Sequence, residues 1–454
     1  MSFSESFVKG ARLLLPTPFT IAIVLTLVTM VLAFVFTTPD PEAGNPHIIQ
    51  ILDHWQNGLW QNGLMVFAFQ MMLMLVLGHV LALSKPFNQL IAKVSNLCSD
   101  TPRAAAIVCF FTLSVSFFNW GLGLIFGAIF ARKVGEMAAQ NNMPLNYPII
   151  GAAGYSGLMV WHGGLSGSAP IKIAEQGHFF AEQMGVVSLS ETVFSSMNIT
   201  ASCLLLIVLP AVLFMVGRKA TGNLLPGSIL KTEIQPEQSR PHGAEKLDRS
   251  NVFALLFSAI ILGLALRTAY LSITGEGNPL GFINPNYINF LMLGLGIVFH
   301  GSFHSYLQAI EEAIAGASGI LIQFPLYFGI MGIMNSSGLV SIFSDFFVSV
   351  SSSTTYPLFT FLSAGIVNVF VPSGGGQWAV QGGIIIEAAN QLDVSLPKSI
   401  MAMAYGDQLT NMLQPFWALP LLGITGLKAK EILPYTLIIM LVGIFIFSTV
   451  LLIF

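Results

Sequence analysis

The chain has 454 residues, of which 54% are hydrophobic and 9% charged, with a mean hydropathy of +0.76 and a net charge of −3. Soluble domains carry about 25% charged residues, so the composition excludes a soluble globular protein and defines an all-α polytopic membrane protein, while the slightly acidic balance offers nothing to nucleic acid. Cys98, Cys109 and Cys203 stand at no spacing that suggests a disulfide framework or a metal site.

A membrane helix takes about 20 mainly apolar residues. In chain order such stretches cover 18–37, 59–83, 147–170, 192–217, 251–271, 286–306, 318–340, 398–425 and 432–454. No small-residue cleavage site follows Phe19–Phe36, which reads as a retained span. Two more apolar segments, 104–132 and 356–392, are too long and too interrupted for one helix, yet too short for two helices with a loop. They read as re-entrant hairpins, entering the membrane and leaving on the same side. The alternative is that one of them crosses fully, which would flip everything after it.

Basic residues arbitrate, because cytoplasmic loops are enriched in Lys and Arg. With the N-terminus inside and both segments as hairpins, only Lys172, Arg267 and Lys398 of the 18 basic residues fall outside. A full crossing by either segment spoils that division. The expected fold is therefore an inverted-topology repeat of about nine transmembrane helices, two re-entrant hairpins and two broken helices. Residues 1–217 form the first repeat, 218–250 a cytoplasmic linker, 251–285 a connecting span and 286–454 the second repeat. Such repeats mark secondary transporters, whose sites lie at the midplane where broken elements meet. The sequence similarity between halves is faint: a fixed shift aligns Gly121 with Gly374, Gly123 with Gly376 and Pro144 with Pro397.

Four interruptions carry the chemistry. The hairpin tips read "FFNWGLG" (117–123) and "VPSGGGQW" (371–378). Asn119, Ser373 and Gln377 can bond freed backbone or a ligand, and Gly121, Gly123, Gly374, Gly375 and Gly376 allow close approach to the backbone. The spans that follow are broken as well. "WHGGLSGSAP" (161–170) holds Ser166 and Ser168, two further candidates for substrate binding, and "YGDQLTNMLQPFWALP" (405–420) has Pro415 near its middle. Half-helix N-termini suit a carboxylate. Half-helix C-termini offer carbonyls which, with Asp407, Thr410 and Asn411, suit a coupling cation or a proton. Asp407 is an acidic residue within a span, and an intramembrane ionisable group suggests a functional site; the plainer alternative is a structural Asp bonded to backbone or Thr410.

The quoted motifs, with the opening "GARLLLPTPFTIAIVLT", resemble the short-chain fatty acid transporter family, the acetoacetate and butyrate uptake type of bacteria, over nearly the whole chain. The family looks like part of the ion transporter superfamily. The resemblance implies paired re-entrant hairpins, a dimeric scaffold and elevator-type movement. It implies a half-site of Asn119, Gly121 and Gly123 and a second of Ser373 to Gln377 with Asp407, Thr410 and Asn411. Its sodium-coupled dicarboxylate members carry a Ser-Asn-Thr tip that this chain lacks, which leaves proton and sodium coupling both open. The implied protein imports a short-chain carboxylate through the bacterial inner membrane. Another small carboxylate or an amino acid is the alternative within the superfamily.

Other signals are plainer. His300 and His304 are spaced like zinc ligands, but no Glu follows His300. No cofactor or metal is expected. Lys172 reads as snorkelling to the outer interface, and His162 as a packed histidine or a proton relay. A membrane enzyme would want GxSxG, GxxxxGK[ST] or HExxH, none of which occurs; a channel would more often come as subunits around a pore axis. The "PSGGG" tip is expected to hold the carboxylate through backbone N–H groups, with Phe370, Val371 and Trp378 near its tail and the "NWGLG" tip as the fallback. A methyl added at Gly375 would then crowd the ligand.

Overall fold

The structure, a computed structural model, describes residues 16–220, 242–276 and 278–454. Lys9, Arg12, most of the expected linker (221–241) and the Phe370 side chain lie outside the described residues. The described residues contain helices and no strand. They begin with α1 (Pro18–Phe36), α2 (His47–Leu59), α3 (Asn62–Ala82) and α4 (Lys85–Ser95). The first hairpin is α5 (Thr101–Phe118) and α6 (Trp120–Gln140), followed by the broken pair α7 (Tyr147–Tyr155) and α8 (Ser168–Ile173), then α9 (Ser196–Lys219) and α10 (Asn251–Thr274). The second half runs α11 (Pro285–His300), α12 (Phe303–Ile314), α13 (Ser318–Ser337), α14 (Leu339–Val350), the hairpin α15 (Tyr356–Phe370) and α16 (Gly374–Gln391), the broken pair α17 (Leu396–Thr410) and α18 (Pro415–Thr425), and α19 (Ala429–Ile453).

The order of elements therefore repeats: span, short helix, span, short helix, hairpin, broken pair, span. α10 joins the halves. Corresponding helices open at Asn62 and Ser318, Lys85 and Leu339, Thr101 and Tyr356, Trp120 and Gly374, a nearly constant step in residue number. The shared punctuation is local chemistry. Pro102 and Pro357 both occupy the second position of a helix, as do Pro148 and Pro397, where the missing N–H costs nothing. Asn146 and Ser395 cap the broken helices, and Asn119 and Ser373 cap the second hairpin arms. The fixed shift read from the sequence needs correcting here. Gly121 corresponds to Gly375, Gly123 to Gln377, and Pro148 rather than Pro144 to Pro397, because connecting segments differ in length.

Element boundaries move for identifiable reasons. The first hairpin spans 101–140 rather than 104–132, because Asp100 caps its start and Arg132, Lys133 and Glu136 carry α6 beyond the apolar stretch as ion pairs. The span expected over 286–306 stops at His300. Gly301 adopts a left-handed conformation (φ 75°) and Ser302 caps the next helix. α2, α4 and α14 were not expected. They are amphipathic and too short to cross, so a search for long apolar runs passes over them. Seven helical stretches among the described residues are long and apolar enough to span a membrane. α10 is apolar all round, with Val252, Leu266 and many neighbours exposed, as a lipid-facing helix must be. The core lies where α3, α6, α7, α13, α16 and α17 meet, each carrying a largely buried face.

Candidate functional site

Both interrupted spans break as their sequence dictates, and each break is mended from elsewhere. α7 passes into a short 3-10 turn and then irregular chain through "WHGGLSG". There the Gly163 carbonyl accepts from Asn198 Nδ2 at 2.8 Å. Gln414, extended as the residue before proline must be, ends the 3-10 turn after α17. The freed carbonyls of Asn411 and Gln414 accept from the Tyr155 hydroxyl at 2.9 and 3.3 Å. Tyr155 thus serves the break of the other half. Tyr405 stands similarly near the end of α17 and donates to Asn198 Oδ1 at 3.1 Å, the residue that mends the first break. Irregular backbone at membrane depth survives only with such partners.

Between the breaks lies a small cavity. Trp120 comes from the first hairpin, Leu158, Trp161 and Ser168 from the first break, Ser373 and Gly374 from the second hairpin, and Asn411 and Trp417 from the second break. Met71 of α3 and Ile320 and Phe324 of α13 close the remaining wall. Its volume is about 20 Å³, on a scale where one water takes about 10–15 Å³. Its walls are largely apolar, with no Lys or Arg among them.

Behind Trp161 and Gly374 sits a histidine–carboxylate pair across the halves. His162 Nδ1 lies 3.2 Å from Asp407 Oδ1, and both side chains are buried. The imidazole stacks on Trp161 with centroids 4.6 Å apart. Ala169 N–H donates to His162 Nε2 at 3.2 Å, so that nitrogen carries its lone pair and the ring proton belongs on Nδ1, facing Asp407. Full protonation of His162 would cost the Ala169 bond. Asp407 Oδ2 has no hydrogen-bond partner among the described residues, which makes it the open position of the pair. Gln408 Oε1 accepts from His162 N at 3.0 Å and Gly163 N at 3.4 Å, tying the first break to α17.

The sequence candidates separate into distinct roles. Ser373, Gly374, Ser168 and Asn411 line the cavity. Ser166 Oγ accepts from Trp120 N at 2.9 Å. Asn119 is consumed as a cap, its Oδ1 accepting from Leu122 N at 2.7 Å while its Nδ2 reaches Met74 O at 3.4 Å. Gly121 lies against α3, where a Cβ would meet Leu75 O at 2.9 Å, and Gly123 lies against Ser116. Gly375 and Gly376 face the rings of Phe324, Phe67 and Tyr327. A methyl at Gly375 would therefore strike α3 and α13 side chains, and substitution there cannot report on the ligand as expected. Gln377 bonds Ala364 O and Gln381 within the hairpin. Thr410 Oγ1 donates to Gly365 O at 3.0 Å and does not meet the Asp407 carboxylate; that contact comes from His162.

Several participants were missed. Val371 and Trp378 do not line the cavity, and Trp378 packs edge-on to Phe180. The tryptophans that do line it sit inside the quoted motifs, beside the residues singled out. The His162–Asp407 pair was within reach, since two corresponding broken helices meet. Asn368 is another omission. Its Nδ2 bonds Asp407 O at 2.6 Å and Asn411 Oδ1 at 2.9 Å, holding the second break to α15. Lys172 does not snorkel. It is buried, paired with Glu175 at 2.5 Å and bonded to Gln70 Oε1 at 3.2 Å, because the adjacent carboxylate supplies the counter-charge that water would otherwise provide.

Duplicated hairpins and broken helices closing on one buried site define a polytopic membrane transporter rather than an enzyme. The sequence pattern of the short chain fatty acid transporter family matches residues 2–454, and the chain belongs to that family. A protein of Escherichia coli (strain K12), provisionally named a short-chain fatty acid transporter, is 36% identical over 425 residues, covering 93% of this chain and 92% of its own. A counterpart of the same provisional name from Haemophilus influenzae is 35% identical over 436 residues, with the same coverage of each chain. In fold, the chain is similar to the Alcanivorax borkumensis YdaH transporter (TM-score 0.61, 15% identity, 96% of this chain and 98% of that one). It is equally similar to Neisseria gonorrhoeae MtrF, described as an antimetabolite efflux pump (TM-score 0.61, 14% identity, 98% and 97%).

Proposed function

We propose that this chain is a secondary active importer of short-chain carboxylates, of the butyrate and acetoacetate class, coupled to a cation at Asp407. The observation that carries it is the buried His162–Asp407 pair immediately behind a cavity to which both hairpins and both breaks contribute. His162 positions the carboxylate, and Asp407 Oδ2 takes the proton. Protonation removes the repulsion between Asp407 and an incoming anion, so the loaded carrier holds one negative charge, as the empty ionised one does, and the state with Asp407 ionised and the anion bound is excluded by the cost of two buried like charges. Sodium is the second reading. Asp407 Oδ2, Asn368 Oδ1 and Gln414 Oε1 are buried oxygens without partners among the described residues, and hard oxygens suit that ion.

In this account the N-terminus and the linker are cytoplasmic, the C-terminus is outside, and the membrane is the bacterial inner membrane, as the distribution of Lys and Arg favours. The halves 1–217 and 286–454 are inverted repeats around the connecting span. Movement is of the elevator type. α2 and α13 pack backbone to backbone at Gly58, where a Cβ would lie 2.6 Å from Phe328 O, as a rigid frame requires. At the hairpin glycines Gly375 and Gly376, by contrast, the nearest atoms are ring atoms of Phe324 and Tyr327 on α13 and Phe67 on α3. A homodimer would give the frame its anchorage. The test is uptake of labelled butyrate and acetoacetate into proteoliposomes with proton and sodium gradients imposed separately. Accumulation driven by one gradient supports the proposal; accumulation driven by neither contradicts coupling.

A further inference from the structure

We infer that the indole N–H groups of Trp120 and Trp161 are the side-chain donors that hold the carboxylate, an assignment that rests on the reading of this site as a carboxylate transporter. The cavity contains no cationic side chain, so an anion there needs neutral donors. Trp120 and Trp161 both line it, both are 5% exposed, and neither Nε1 has a hydrogen-bond acceptor among the described residues. A buried donor without an acceptor is costly in an unliganded protein, and of the four such indoles among the described residues these two share one cavity wall, where an acceptor can arrive.

The rings are held in place. Trp161 stacks on His162, and Trp120 lies 5.7 Å from Trp161 and edge-on to Trp417 at 5.3 Å. The two donors come from the same half, one from the first hairpin tip and one from the first break. Opposite them, Gly374 opens α16 with an N–H that no carbonyl of its own helix can reach. A Cβ there would lie 2.6 Å from Trp161, so the glycine brings that amide and the Trp161 ring to the same spot. One carboxylate has lone pairs enough for two indoles and a backbone amide. The indole faces, with Leu158, Ile320 and Phe324, leave a small apolar space for the tail. An indole N–H binds an anion without a fixed charge, so the loaded site keeps only the charge that the coupling cation must offset.

Trp378 is an internal control. Its Nε1 is also buried and unpartnered, but it packs on Phe180 away from the cavity. The experiment uses the full-length protein with ¹⁵N-indole label and butyrate as probe, joined to uptake by Trp120→Phe, Trp161→Phe and Trp378→Phe variants. The Trp120 and Trp161 indole N–H resonances should move downfield on saturation while that of Trp378 stays. Each cavity variant should raise the apparent KM for butyrate about ten- to a hundredfold, the scale of one hydrogen bond to a charged group; Trp378→Phe should leave KM unchanged. Wild-type uptake with both cavity resonances unmoved overturns this inference alone. It is equally overturned by cavity variants of wild-type KM. If the wild-type protein neither binds nor accumulates butyrate or acetoacetate, the transport reading falls and this assignment with it.

Discussion

The two hairpin tips occupy corresponding places yet are finished differently. At the first, the cap, the backbone and the glycines are spent on the protein itself: Asn119 caps its own helix, the Trp120 backbone N–H is taken by Ser166, and Gly121 and Gly123 are pressed against α3 and α5. Gly78 on α3 even makes room for Asn119, since a Cβ there would lie 2.1 Å from Oδ1. At the second tip Ser373 spends its oxygen on Gly376 N–H at 3.2 Å, but Ser373 and Gly374 still line the cavity. The first tip is a packing joint that also brings Trp120 to the cavity wall, and the second brings Ser373 and Gly374 to it.

The largest expected effect separates packing from binding. A Cβ at Gly123 would lie 2.6 Å from Ser116 Cα, a backbone atom, whereas one at Gly374 would meet side-chain ring atoms of Trp161 and His162. Gly123→Ala should abolish monodisperse protein in detergent, while Gly374→Ala should assemble and lose most butyrate uptake. Equal behaviour of the two would erase the distinction between the tips. Next comes the ion pair that anchors the first break. Lys172→Met removes the counter-charge of Glu175, which keeps Gln70 and Asn286 as donors, and should cost about 3 kcal/mol, at the low end for a broken buried pair because Glu175 is partly exposed. Adding Glu175→Gln should recover much of the lost thermal stability, and no recovery would mean the pair is not what Lys172 provides. The smallest effects are at the caps. Asn119→Ala should lower stability by about 1 kcal/mol with KM unchanged, whereas Ser373→Ala should lose a similar amount and also raise KM several-fold. Denaturation midpoints and uptake kinetics on the same preparations would expose a reversal.

Much of this architecture was legible in the chain. Apolar length gave most of the spans, and "PSGGG", "HGGLSGSAP" and "NMLQP" announced the breaks, because Gly and Pro have few other uses inside such segments. Three things were not legible. Amphipathic helices such as α4 and α14 are too short to register as spans. A Gly can serve close packing or ligand approach with the same letters, and only its neighbours decide: Gly121 and Gly375 look like site residues until Leu75 and Phe324 appear beside them. Partners far apart in the chain, as His162 and Asp407 are, depend on how the halves interlock. The repeat layout hinted at that pairing, but no local pattern states it.

The central claim is that Asp407 carries the coupling cation, and one measurement tests it most directly. Asp407→Asn is reconstituted beside the wild-type protein, and labelled butyrate is followed both as accumulation under an imposed gradient and as exchange against internal butyrate. The amide mimics a neutral carboxyl and can still accept from His162. The account predicts that gradient-driven accumulation falls to background while exchange continues. Accumulation at the wild-type level by the Asn variant would contradict it and leave Asp407 a structural partner of His162.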